Sequence, residues 1–357
     1  MRWLSLVGVL ATATLASANP DPMPPEVPAK PATEELSALT NDPVVGNSPR
    51  VNGDEMHGVV AFTFDDGPNP ETTPAVIDAL EKYDIPATFF IVTQRLLGKH
   101  GEKSREVLQR ELAGGFMVGS HSVTHPNLKH AVGAQITKEI DNSFRTLSKE
   151  ANRTIGLFRP PYGALSGAGR VRLKKLGVTE VIWSVDTLDW KAHNADRLRK
   201  KVLSMILKQN GGVVLMHDVK PITAKIIADV LDDLEAENCK RLDDKKDPII
   251  PVSLHYFLRD GKAARAVPDD VQKRTDAYKL ALPVRCANRL VHETKTASTE
   301  LGEAQQKLQA EQDATKKHDE SQPHPVGDFG RADEETPKQL GHVSQECRNN
   351  PLAKGCQ

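Results

Sequence analysis

Two carboxylates, Asp65 and Asp66, follow directly on the apolar run VVAFTF at residues 59–64. At the end of a buried strand, where water is scarce, adjacent like charges repel strongly. A divalent cation relieves that repulsion, and the chain carries other groups able to ligate one. His121 and His125 stand four residues apart in HSVTH. Arg159 and Tyr162 share FRPPYG, Asp186, Asp189 and Trp190 share DTLDW, and His217 and Asp218 close LMHD. One carboxylate with two imidazoles makes an open three-ligand site, leaving positions for water and substrate as a catalytic zinc requires. The second aspartate then stays charged close by, its ionisation favoured by the cation and by Arg159.

Each cluster alone has an ordinary reading. Asp-Asp-Gly-Pro is a common turn signal. Asp189 in DTLDW suits the cap of a helix. A spaced pair of histidines, or one histidine at a strand end, most often binds nothing. Chemical weight comes from where the surrounding elements put these residues.

Short apolar runs read as strands near 59–64, 87–92, 116–120, 156–160, 180–186, 212–217 and 249–254. Helices fall between them. One near 73–83 starts with Thr72-Thr73-Pro74, a cap residue followed by proline at the first helical position. Another, near 134–149, has Ile136, Ile140, Phe144 and Leu147 on one face, and a third, near 222–237, turns Ile226, Ile227, Val230, Leu231 and Leu234 inward. Apolar strands alternating with helices imply an α/β fold with a parallel sheet covered on both faces. A closed barrel and an open doubly wound sheet both satisfy the pattern. Either one gathers function at the C-terminal ends of its strands. The polar clusters stand at those ends, so they converge on one mouth.

The rest of the chain sets bounds. Its 357 residues carry a formal net charge of −1, which draws it to neither nucleic acid nor anionic lipid. Residues 1–18 read as a signal peptide: Arg2, an apolar stretch over 3–15, then Ala16-Ser17-Ala18 as a small-x-small cleavage site. That stretch is shorter than the about 20 residues a membrane span needs, so no span remains after cleavage and the protein is expected to be periplasmic or secreted. Residues 19–56 hold Pro20, Pro22, Pro24, Pro25, Pro28 and Pro31 and read as a flexible linker. Beyond 259 the sequence is helix-permissive but polar all round, an extension over 260–357 that is helical or disordered. Of the four cysteines, Cys347 and Cys356 flank the turn-rich RNNPLAKG, and a local disulfide between them is expected in an oxidising compartment.

The ordered motifs TFDDGP, HSVTH, RPPYG, DTLDW and LMHD together resemble those of the polysaccharide deacetylase (NodB-homology) family, the family-four carbohydrate esterases. The resemblance covers residues 57–259. It implies a distorted (β/α) barrel of seven or eight parallel strands. It implies Asp65 as general base, with Asp66, His121 and His125 as ligands, typically to zinc. Arg159 would hold Asp65, the Tyr162 backbone N–H would help bind the oxyanion, and Pro160 and Pro161 would stiffen that wall of the groove. Asp189 would raise the pKa of His217, the general acid, and Trp190 and Leu215 would line the acetyl-methyl pocket. The residues alone leave open which of Asp65 and Asp66 is base and which is ligand. Leu188 departs from the charged or polar residue many members carry, which bears on substrate preference.

The implied partner is a polysaccharide and the implied reaction is deacetylation by a monomeric enzyme. N-acetylglucosamine in peptidoglycan is the first expectation, chitin oligosaccharides the second and O-acetylated xylan the third. Hydrolysis of small ring amides is disfavoured by the leader and the complete histidine pair. The non-enzymatic rival is a protein that clamps wall glycan in the barrel mouth, and it would tolerate the loss of Asp65.

Overall fold

The structure is a computed structural model and describes residues 33–320. The expected signal peptide, the first part of the expected linker, and Cys347 and Cys356 lie outside the described residues.

Strand β1 (Val59–Asp65) runs through the middle of a parallel sheet. The others are β2 (Ala87–Ile91), β3 (Met117–Ser120), β4 (Leu157–Phe158), β5 (Thr179–Glu180), β6 (Val185–Asp186), β7 (Gly211–His217) and β8 (Ile250–Pro251). Their order is β5-β4-β3-β2-β1-β7-β6, with β8 pairing the start of β1. β1 is buried from Val60 to Asp65 on both of its sides, which is why its sequence is apolar without alternation. Phe64 stacks on Phe89 at 5.3 Å and Phe89 meets Phe116 edge-on at 5.6 Å, so aromatic packing fixes β1 against β2.

The run 180–186, expected as one strand, is two. β5 pairs with β4, while β6 pairs with β7 on the opposite edge of the sheet. The chain between them crosses from edge to edge: Ile182 donates its N–H to Val51 O and Ser184 donates to Val213 O. Consecutive residues thus serve both edges, and the sheet curls into a half-barrel. The expected distorted barrel is therefore the architecture, and the open doubly wound sheet is not. The crossing demands close approach. A Cβ on Gly212 (φ +100°) would lie 2.3 Å from Ser184 Oγ, and one on Gly53 (φ +91°) would lie 2.5 Å from it.

Helices cover the outside: α1 (Thr33–Thr40), α2 (Thr73–Lys82), α3 (Glu102–Ala113), α4 (Gly133–Ile136), α5 (Asn142–Ala151), α6 (Gly167–Leu176), α7 (Ala195–Gln209) and α8 (Pro221–Asp243). α2 has its proline in the first turn, as its sequence requires. Ser166 accepts from Gly169 N–H to cap α6, and Asn194 accepts from Arg197 N–H to cap α7. Between α4 and α5, residues Thr137–Asp141 form a π turn, a feature that recurs beside functional sites.

Two corrections concern the flanks. Residues 33–56 are folded onto the barrel and do not behave as a linker. Leu36, Val45 and Val51 are buried, and Ser48 N–H donates to Thr179 Oγ1. The six prolines that suggest a linker all precede residue 32, so residues 19–56 hold two segments of different character. On the other side, helix α9 (Asp269–Glu320) follows the barrel. As far as His292 it belongs to the main unit; Tyr278 and Leu282 are buried, Arg289 pairs with Asp232, and Cys286 is bonded to Cys239 of α8. That disulfide joins cysteines for which the sequence offered no local pairing signal. The rest of the described helix, residues 293–320, belongs to a second unit. Among the described residues no helix is long and apolar enough to cross a membrane.

Candidate active site

Because all strands run the same way, their C-terminal ends share one rim. β1 ends in Asp65-Asp66, β3 leads into His121, β4 into Arg159, β6 into Asp189, and β7 ends in His217.

Asp66, His121 and His125 bring one ligand atom each to within 4.8 Å of one another. His125 Nε2 lies 3.2 Å and His121 Nε2 3.6 Å from Asp66 Oδ1. His121 Nδ1 stands 2.6 Å from the carbonyl of Arg159. A carbonyl only accepts, so Nδ1 carries the proton and Nε2 presents its lone pair to the site. Burial pulls the His121 pKa down to about 3 against the charge of Asp66, which keeps the ring neutral. Asp66 Oδ1 is buried and receives no hydrogen bond among the described residues. Acceptors facing one another without a donor between them fit a cation, and the donor set of two imidazoles and a carboxylate suits zinc.

The loop that presents these ligands is strained and specifically braced. Asp66 (φ 78°), Ser122 (φ 70°) and His125 (φ 60°) adopt left-handed backbone, which costs each about 1–3 kcal/mol unless its surroundings enforce it. HSVTH is thus a tight loop and not a helical turn. Ser122 Oγ accepts from His125 N–H. Glu139, buried in the π turn, accepts from Val123 N–H, Thr124 N–H and the Thr124 hydroxyl. Sequence reasoning passed over Glu139. Its signal was an acid inside the apolar face that runs from Ile136 to Ile140. On the other side of Asp66, Thr73 donates to Asp218 Oδ2, and a Cβ on Gly67 would collide with that carboxyl. Asp218, completely buried, thereby seats the start of α2 against the aspartate turn. Burial raises its pKa to about 7.

Asp65 is buried beside Arg159, which is wholly inaccessible. Arg159 Nη1 donates to Asp65 Oδ1 and to Thr63 Oγ1, both at 2.7 Å, and its guanidinium lies 4.1 Å over the Phe90 ring. Burial raises the pKa of Asp65, and the charges of Arg159 and His217 oppose that rise without cancelling it. The expectation that Arg159 favours ionisation has the right sign, and desolvation outweighs it. Asp65 Oδ2 faces His121 Nε2 at 3.7 Å.

Asp189 makes a two-point clasp on His217. Its Oδ1 accepts from His217 Nδ1 and its Oδ2 from the His217 backbone N–H, both at 2.7 Å, and Thr223 Oγ1 donates to the same Oδ2. Burial disfavours the imidazolium, but the Asp189 hydrogen bond and charge outweigh it and lift the pKa to about 9. Leu188, at φ 56°, makes the bend that delivers Asp189 to this position. Thr223 at the start of α8 is the second residue that sequence reasoning did not find; nothing local distinguishes it from an ordinary helix-start threonine.

The remaining expected residues are less uniformly placed. Tyr162 (φ 59°) is exposed, sets its ring edge-on to His125 at 4.7 Å, and its N–H has no acceptor among the described residues. Pro160 and Pro161 are buried. Leu215 is buried in β7 and Trp190 is half exposed in the short turn after Leu188. Neither lines the cavity of about 420 Å³ beside the ligand set, which is bounded by Asp66, Val92, Gln94, Arg95, Thr124 and His125.

The chain is similar to known proteins. A model of the polysaccharide deacetylase family matches residues 52–181. A peptidoglycan-N-acetylglucosamine deacetylase of Listeria monocytogenes is 37% identical over 182 residues, 50% of this chain and 36% of that protein, so the chain spans little more than a third of that relative's length. A chitooligosaccharide deacetylase of a Bradyrhizobium strain is 35% identical over 163 residues, covering 45% of this chain and 71% of that protein. A family 4 carbohydrate esterase from Streptomyces lividans, solved in complex with acetate, is 31% identical with a TM-score of 0.44, covering 52% of this chain and 90% of that one. Identity at this level across most of the Bradyrhizobium protein establishes kinship: this chain belongs to the polysaccharide deacetylase family.

Proposed function

We propose that this chain is an exported, metal-dependent deacetylase that removes N-acetyl groups from an amino-sugar polymer, N-acetylglucosamine of peptidoglycan first and chitin oligosaccharides second. The observation that carries the reading is the pairing of Asp65 with His217 at the ends of β1 and β7, beside the three-ligand set. One is a buried carboxyl and the other an imidazole held protonated by Asp189. A base and an acid whose surroundings drive them into different roles are what amide hydrolysis needs.

Asp66, His121 and His125 hold the cation in this reading. When bound, zinc at such a site supplies Lewis acidity for a carbonyl oxygen and lowers the pKa of water. Asp65 takes the proton of the attacking water on Oδ2, the oxygen Arg159 leaves free, while Arg159, itself held by Thr63, fixes the orientation of its carboxyl. The unengaged Tyr162 N–H offers a donor for charge developing on the acetyl oxygen, with Pro160 and Pro161 stiffening its turn. His217 gives its Nε2 proton to the departing nitrogen, so that acetate and a free amino sugar result. Trp190 follows Asp189 directly and Leu215 stands two residues before His217, so the proposed seat for the acetyl methyl is on that side of the site and not in the cavity beside Asp66 and His125. Export rests on the leader-like residues 1–18 and on relatives named for peptidoglycan.

Acetate release by residues 19–357 from peptidoglycan and from chitin oligosaccharides, with and without chelator, tests the reading. Release that chelator abolishes and Asp65→Asn removes supports it. No release from either polymer by protein holding one equivalent of zinc overturns it, in favour of an O-acetylated substrate first and a glycan-binding role second.

A further inference from the structure

The cavity beside the ligand set contains a cation that the chemistry above does not use. Arg95 lines it together with Asp66 and His125. Its side chain is exposed and has no hydrogen bond or ion pair among the described residues. Other cavity walls supply an exposed amide from Gln94 and the apolar edge of Val92.

The placement of Arg95 is not that of a loose surface residue. It belongs to the short turn Thr93–Leu96 that follows β2. That turn is stitched to both loops that present the ligands. Val92 donates its N–H to Gly67 O, next to Asp66; Thr93 donates to Ser122 O and Gln94 to Val123 O, between the two histidines. Arg95 N–H then donates back to Val92 O and closes the turn. The root of the arginine is thus fixed with respect to Asp66 and His125, while its guanidinium lines the cavity, its charge reaching the buried Asp218, with no hydrogen bond or ion pair among the described residues. A guanidinium is a fork suited to a carboxylate, and a carboxylate meeting it there would lie within one sugar of the group at the ligand set.

We infer that Arg95 forms an anion subsite of the groove, recognising a carboxylate carried by the polymer within one sugar of the acetamide that is cleaved. This rests on the deacetylase reading and narrows its substrate class to acidic amino-sugar polymers over neutral ones. Two sources offer that chemistry: an ether-linked acid on the sugar itself, and the carboxylates of a peptide attached to it. The subsite selects between polymers and takes no part in proton transfer.

The test compares the parent with Arg95→Gln and Arg95→Lys on neutral chitin hexamer, on peptidoglycan glycan strands stripped of peptide, and on strands that keep their peptides. Expected for Arg95→Gln is a fall of about tenfold in the ratio of kcat/KM on acidic strands to kcat/KM on chitin hexamer, carried by KM, with partial return in Arg95→Lys. A fall on stripped strands points to the sugar acid, and a fall confined to peptide-bearing strands points to the peptide. An unchanged ratio, whether activity drops on every polymer alike or on none, overturns the inference. Calorimetric binding of stripped strands and chitin hexamer to the Asp65→Asn protein separates the two proposals. A preference for the acidic strand that Arg95→Gln removes upholds the subsite even if no polymer is turned over, and binding without preference sinks it.

Discussion

Asp65 and His217 occupy matched positions at the ends of adjacent parallel strands, so β-sheet register alone sets a buried carboxyl beside an imidazolium. Each is held by a different partner on the far side: Arg159 grips Asp65 Oδ1, and Asp189 grips His217 Nδ1. The two side chains face the same mouth with their remaining polar atoms, Oδ2 and Nε2, ungripped by either partner. Neither position can slip without the other, because a one-residue shift of β7 on β1 would turn His217 to the opposite face of the sheet.

Asp65→Asn keeps the size and the Arg159 contact but removes the proton acceptor. Deacetylation is expected to fall by at least about a hundredfold, the range for loss of a general base. Zinc content measured on the purified variant should stay at one equivalent, since Asp66, His121 and His125 are untouched.

Asp189→Asn tests how His217 is kept protonated. The aspartate is the largest influence raising the His217 pKa, to about 9 from 6.5, against a burial cost that remains in the variant. The basic limb of the kcat profile should therefore move to lower pH, with activity at pH 8 lost before activity at pH 6. Stability follows the same sign. The raised pKa makes the imidazolium–Asp189 pair stabilising below about 6.5, with that contribution lost as pH rises through about 9. Melting temperatures of the parent should decline across that window and those of the variant should decline less.

Glu139→Ala removes the carboxylate that orders the loop between the two histidines without touching either ring. Loss of such support typically weakens a metal site by about 10–100-fold. Competition with a chromophoric chelator would show it. An unchanged zinc affinity would mean that Ser122 and the Arg159 carbonyl hold the histidines unaided.

Glu111→Met concerns stability alone. Glu111 in α3 is wholly buried and neither carboxyl oxygen has a hydrogen-bond partner among the described residues. Burial, and then the charge of Asp218, hold its pKa well above 4.5. A carboxyl whose folded pKa is raised destabilises the fold increasingly as pH climbs past its unfolded value. Replacement by methionine should add about 1–3 kcal/mol at neutral pH and flatten the parent's loss of stability above about 4.5. Urea unfolding at several pH values measures both effects.

The parts of the fold readable from sequence were those whose signal is local. β1, β2 and β7 are apolar on both faces, so VVAFTF, ATFFI and GVVLM announce themselves without any knowledge of their neighbours. The same holds for the polar clusters at strand ends, which the structure gathers on one rim. What escaped depends on distant partners. The division of residues 179–186 into β5 and β6 is dictated by closure of the sheet, through Val51 and Val213, and not by those residues themselves. Residues 33–56 have few apolar side chains, yet each of Leu36, Val45 and Val51 finds a buried slot. Glu139 and Thr223 matter only because folding brings their oxygens to a loop and an aspartate elsewhere in the chain.

The bond between Cys239 and Cys286 closes a covalent ring of chain with β8 inside it. Tension applied to α9 beyond Cys286 is therefore passed straight across to α8, and the strand that pairs with the start of β1 lies outside the path of the load. Under oxidising conditions a cut anywhere between Asp244 and Asp269 would leave both fragments joined, and they would separate on a gel only after reduction. The lower end of the central strand is thus guarded mechanically.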